Sequence, residues 1–166
     1  MSTKNLYDAE AKKKLKKLVD AGDVAMMATN LGTTPLSAVP MHTKKIDDEG
    51  NIWFLSTNTS DHNADLLKSS EIQLLYNNKS DMEFVSVYGE GEIISDQNTL
   101  SSLYDDKDNA WFEGPEDPNL TAIKVKPKEG AYWSNKDNKL VTFFKLQMAA
   151  VTGDEKDIGE SGKLKM

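Results

Sequence analysis

The chain has 166 residues, of which 38% are hydrophobic and 28% charged, a balance that suits one globular domain and not a disordered segment. It contains no cysteine, which excludes disulfides, zinc–thiolate centres, iron–sulfur clusters and thiol nucleophiles together and fits a reducing compartment. The net charge is -7, and all 20 basic residues are lysine, so any anion site must do without the bidentate guanidinium fork.

The first residues hold no apolar leader core, and no apolar run approaches the ~18 residues of a membrane span, so a soluble, cytoplasmic protein is expected. Residues 8–21 predict an amphipathic helix closed by Gly22. Ala11, Leu15, Leu18 and Val19 fall at helical spacing among Lys12, Lys13, Lys14, Lys16 and Lys17. That lysine cluster reads as a solvated helix face, not a nucleic-acid stripe. Val24 to Thr29 predicts a short buried strand, followed by turn chemistry over Asn30 to Thr34. Leu36 to Ile46 predicts a second strand, residues 47–51 a hairpin turn, and Ile52 to Leu55 a third strand rich in β-formers. Ser60 fits an N-cap, with a short helix over Asp61 to Ser69. Ile72 to Tyr76 and Phe84 to Ile94 predict two more strands. In the second of these, Val85, Val87, Gly89, Gly91 and Ile93 share one side. A helix from Asp96 toward Tyr104, a helical turn over Asp108 to Phe112, and a last long strand over Leu120 to Trp133, broken at Pro127 and Gly130, follow. Lys139 to Val151 suits a terminal helix, and residues 153–166 are polar and expected to be loose. Neighbouring strands joined by short turns favour an antiparallel barrel with peripheral helices, in a single domain over residues 1–152.

Most familiar chemistry is missing. There is no dinucleotide fingerprint and no phosphate-binding loop of the G-x-x-x-x-G-K-[ST] type. Gly89 and Gly91 lie inside a strand, where they predict a bulge or a close packing contact. The two histidines, His42 and His62, form no metal-ligand pattern, so no metal is expected. No nucleophile-elbow motif supports a serine triad.

Several ordered segments carry a resemblance. They are Pro40-Met41, Gly50 to Thr57, Val85 to Gly91, Ala110-Trp111-Phe112 with Glu116-Asp117-Pro118, and Ala131-Tyr132-Trp133. Together they resemble the general stress protein 26 group of the pyridoxamine 5′-phosphate oxidase-like FMN-binding split barrels. The resemblance implies a mainly β fold, a six-stranded antiparallel split β-barrel. It also implies a homodimer, and FMN, with FAD the alternative, lying across the subunit interface. It places the phosphate-facing lysine at Lys44, a strand-end hydroxyl at Ser56 with Thr57 beside it, and the helix-opening serine at Ser60. Met41 and His42 would line the flavin ring, or Met41, following a proline in a strand, would pack into the core. Trp111 and Trp133 would wall the pocket from either subunit, or else close the barrel or the dimer. His62 stands where the group has a lysine, behind Asp61, and Val39 stands where it has an arginine. A phosphate at the start of the 61–69 helix would then rely on Lys44, Ser60 and a protonated His62. The stretch Asn138 to Thr142 lacks the Arg/His cluster of true pyridoxamine phosphate oxidases, so vitamin B6 oxidation is not expected. Two function classes stay open: a flavin-dependent oxidoreductase of unknown substrate, and a flavin-binding stress or sensor protein without turnover. An empty barrel that has lost its flavin is a third. No membrane or nucleic-acid partner is expected.

Overall fold

The computed structural model describes residues 2–135 and 159–166. In chain order the strands are β1 (Ser2–Thr3), β2 (Leu6–Tyr7), β3 (Val24–Thr29), β4 (Ser37–Ile46), β5 (Ile52–Thr57), β6 (Glu71–Asn78), β7 (Glu83–Ile94), β8 (Leu120–Asn135) and β9 (Gly159–Lys165). The helices are α1 (Asp8–Gly22), α2 (Asp61–Leu66) and α3 (Gln97–Leu103), followed by a 3₁₀ helix over Asp106–Ala110. The predicted terminal helix at 139–151 lies outside the described residues.

Six antiparallel strands close on themselves in the order β8-β5-β4-β3-β6-β7, with β7 pairing back onto β8. Closure depends on β8 being long enough to serve two neighbours. Ile123 faces Phe54 of β5 on one side and Ile93 of β7 on the other. The register of β7 against β8 shifts between Tyr88 and Gly89. A β-carbon on Gly89 would run into the Lys126 backbone carbonyl, so only glycine permits this approach. The bulge predicted from the glycine pair is therefore present, and β8 runs through Pro127 and Gly130 without the expected break, because both positions stay in register with β7.

The barrel interior follows the alternation of its strands. Phe54, Ile52, Ile72, Leu74, Val87, Ile123 and Val125 are fully buried. Helix α1 covers the interior with Ala11, Leu15, Leu18 and Val19, as its spacing predicts, and leaves Lys12, Lys13, Lys16 and Lys17 in solvent. A second, smaller cluster forms outside the barrel. There Leu100, Leu103, Leu120 and Ala122 pack with Leu55 and Phe112, which fixes the 97–112 segment against β5 and β8.

One expectation is corrected. The polar tail expected to be loose contains β9, which runs antiparallel to the second half of β8 and parallel to β1 and β2. β8 outruns β5, so its outer edge needs a partner for its backbone groups. β9 supplies it with one fully buried apolar side chain, Leu164. Tyr132 helps hold the strand by donating its hydroxyl to Glu160 at 2.9 Å. The driving force is main-chain pairing, which a hydrophobicity pattern does not register.

Candidate functional site

A groove of ≈ 490 Å³ opens between β4, β5, the start of α2 and the 107–112 segment. β4 contributes Pro40, Met41, His42 and Lys44, and β5 contributes Leu55, Ser56 and Thr57. His62, Lys107, Asp108, Trp111 and Phe112 complete the lining. The volume and the mixture of apolar wall with few polar groups are those of a small-molecule site. A second depression has charged walls that include Glu49, Glu90, Glu92, Lys124 and Lys126, and offers no aromatic surface.

Of the nine residues singled out from the sequence, seven line this groove: Met41, His42, Lys44, Ser56, Thr57, His62 and Trp111. Ser60 and Trp133 do not. Ser60 caps α2, its hydroxyl accepting from the Asn63 N–H at 3.3 Å. Trp133 sits on β8 between Phe84 and Ser161, outside the groove and 41% exposed.

The hydroxyl of Ser56 is committed inward. It donates to Asn63 Oδ1 at 3.0 Å and lies 2.8 Å from Thr121 Oγ1. Asn63 Nδ2 in turn donates to Thr121 Oγ1, and that hydroxyl to the Ser56 carbonyl. This buried ring locks α2 onto the end of the barrel, helped by Thr29 Oγ1 donating to Asp65. Ser56 is thus a positioning residue for the groove wall, its hydroxyl proton committed to Asn63.

Lys44 is held more firmly than the sequence suggests. Its side chain is only 6% exposed, and its Nζ donates to Asp105 Oδ2 and Asp108 Oδ2, both at 2.7 Å. Burial alone would push its pKa down. The two carboxylate hydrogen bonds outweigh that and hold it above the ordinary lysine value. Asp105 lies below the usual carboxylate range, first through Lys44 and then through the Lys107 N–H.

His62 is the polar group left open. Its Nε2 is shielded from solvent and has no hydrogen-bond partner among the described residues. Burial lowers its pKa, and the nearby charges of Asp61 and Asp65 pull the other way. The imidazole therefore favours its neutral form, which offers one donor and one acceptor. His42 sits 3.4 Å from Asp23, with both side chains exposed.

These residues fit a flat, apolar ring with a polar edge. Met41, Leu55, Trp111 and Phe112 supply surface, and the buried His62 Nε2, unpartnered among the described residues, has a hydrogen bond to offer there. They do not fit the phosphate end as the sequence led us to expect. Lys44 is neutralised by two aspartates, Ser60 is a cap, His62 favours the neutral state, and Val39 packs against the core. Among the described residues no His, Cys, Asp and Glu group could hold a metal ion. Sequence reasoning missed Asn63, Thr121, Asp105 and Asp108. Only the last two had a local signal: Asp105 and Asp108 cap the 3₁₀ helix, with the Asp105 N–H donating to Asp108 at 2.8 Å.

Among known structures, a protein of Jannaschia sp. CCS1 described as a general stress protein 26 superposes with a TM-score of 0.72 at 21% identity, over 93% of this chain and 95% of that one. A general stress FMN/FAD binding protein from Xanthomonas citri gives 0.65 at 23% identity, over 77% and 90%. At these identities the likeness shows the fold. Protein bli-3 of Neurospora crassa is 29% identical over 107 residues, and the chain spans about half the length of that curated relative. The Asn138 to Thr142 stretch, which bears on vitamin B6 oxidation, lies outside the described residues. A family profile described as pyridoxamine 5′-phosphate oxidase like matches residues 10–157, so this chain belongs to the pyridoxamine 5′-phosphate oxidase-like family.

Proposed function

We propose that the groove binds the ring system of a flavin and that the protein is a flavin-dependent oxidoreductase working as a homodimer. The observation that carries the reading is the groove itself: apolar walls of Met41, Leu55 and Phe112 around the unpartnered Nε2 of His62. The name of the Xanthomonas citri neighbour supports it. When bound, a flavin supplies the electron-transfer chemistry, and the protein supplies orientation and exclusion of water. Leu55 and Phe112, tied to the outer cluster, keep one wall rigid. Neutral His62 would satisfy a polar edge of the ring, by donating or accepting one hydrogen bond. Trp111 is 75% exposed and closes the groove only if something covers it.

A second copy of the chain is the cover that fits. Val24, Met26, Leu75, Phe84 and Trp133 are all exposed. They lie in neighbouring cross-strand positions, Met26 opposite Leu75 and Phe84 opposite Trp133. Pro40 and His42 of the groove pair with Met26 and Val24, so this apolar face runs directly into the site. Burying such a face against itself is the commonest oligomeric solution.

Protein purified in the presence of excess flavin should show the visible spectrum of a bound flavin that anaerobic NAD(P)H bleaches, and should sediment as a dimer. Flavin bound but never reduced by any nicotinamide donor would replace the oxidoreductase with a non-catalytic flavin carrier. No bound flavin would defeat the reading.

A further inference from the structure

Lys44 is the buried cation of the groove, and its charge is more than cancelled inside the molecule. Two of the three N–H donors of its ammonium go to Asp105 and Asp108 at 2.7 Å each. The three groups together carry one net negative charge. Asp108 is almost as buried as Lys44, with 8% of its side chain exposed against 6%. The carboxylates are pre-positioned. The Asp105 and Lys107 N–H groups bind them at 2.8 Å, and the cluster around Leu100, Leu103 and Leu120 anchors the segment behind them. Lys107 lies on the groove wall but is exposed, and neutral His62 adds no charge. The chain has no arginine to add one either. A phosphate dianion entering here meets like charge at short range. To reach Lys44 fully it must displace a charge-assisted hydrogen bond already made.

We infer that Asp105 and Asp108 are specificity-determining residues, which make the groove select a flavin by its ring and uncharged side chain and discriminate against a phosphate-bearing one. The ligand class is thus a riboflavin-type flavin in preference to FMN or FAD. This rests on the flavin reading above and narrows it.

The test is a fluorescence-quenching titration of the full chain with riboflavin and, separately, with FMN. The parent protein is compared with Asp105→Asn and Asp108→Asn, each checked for an unchanged far-ultraviolet circular dichroism spectrum. Asp105→Asn is the safer variant, because its carboxylate is half exposed and asparagine can still accept the Lys107 N–H. The parent should bind riboflavin at least as tightly as FMN. Each variant should tighten FMN about tenfold, the factor set by one charge-assisted contact, and move riboflavin by less than about threefold. FMN preferred by the parent by more than about threefold, or FMN affinity unmoved in Asp105→Asn, would overturn the inference while leaving the flavin reading intact. Neither flavin binding to folded parent protein would overturn both.

Discussion

Replacing Lys44 with methionine tests the arrangement on which the groove's electrostatics depend. The substitution keeps the length of the stem and deletes the ammonium. It strands Asp108, whose side chain is 8% exposed, while Asp105 keeps half its access to water. Removing one partner of a buried pair costs about 3–5 kcal/mol, because the remaining charge is left without compensation. Asp108 retains one donor, the Asp105 N–H at 2.8 Å, which places the cost near the lower end. A loss of ~3 kcal/mol in a chain of this size lowers the melting temperature by roughly 6–12 °C. Asp108→Asn should cost less, since it strands no buried anion and Asp105 still pairs with Lys44. The double variant Lys44→Met/Asp108→Asn should recover about 1–3 kcal/mol of the sum, the size of coupling seen between contacting charges. Urea unfolding of the four proteins at one pH and salt concentration gives the cycle. A Lys44→Met cost below about 1 kcal/mol would mean a solvent-exchanged surface pair and would refute the reasoning.

Three further outcomes follow from separate parts of the molecule. Gly89→Ala should destabilise by about 2 kcal/mol or more because its β-carbon meets the Lys126 carbonyl. Gly32→Ala, with nothing within 4 Å, should stay within about 0.5 kcal/mol, and equal effects on thermal unfolding would contradict the register shift. Deleting residues 159–166 removes β9, and losing buried Leu164 alone should cost about 2–3 kcal/mol; a truncated chain as stable as the parent would show that β8 needs no partner there. For His62 the folded pKa is lowered. Its neutral form therefore stabilises the fold above the unfolded value of ~6.5, and that stability is lost as pH falls below it. As pH falls below ~6.5, His62→Leu should remove a slope of at most about 1.4 kcal/mol per pH unit. An unchanged slope in that window, measured by denaturant midpoint, would place the imidazole in solvent.

The barrel was legible where one local rule decided the outcome. The spacing of Ala11, Leu15, Leu18 and Val19 made α1 readable, and the Gly89 and Gly91 pair marked the bulge. Six of the nine anticipated site residues meet in one groove because β4, β5 and the entry to α2 are contiguous in the chain, so a local pattern places them together; Trp111 joins them from the distant 107–112 segment. What the sequence hid are relations at a distance. Lys44 meets Asp105 and Asp108 across 61 and 64 residues, and Ser56 meets Thr121 across 65. Nothing in a lysine on a strand says whether it faces a ligand or two carboxylates. β9 was missed for another reason: its pairing is made by main-chain groups, and only Leu164 among its residues is a buried apolar side chain. For Trp133 the strand motif left two readings open, a pocket wall or a residue closing the barrel or the dimer. The register sets it beside Phe84 on the exposed apolar face, away from the groove.

The central claim is that the groove between β4, β5 and the 107–112 segment takes the flavin ring. Amide-resolved NMR during a riboflavin titration of the isotopically labelled chain tests it most directly. The largest shift changes should fall on Met41, His42, Leu55, Thr57, His62 and Phe112, with saturation at one flavin per chain. Changes confined to the charged depression around Glu90 and Lys126, or no saturable change at all, would contradict it.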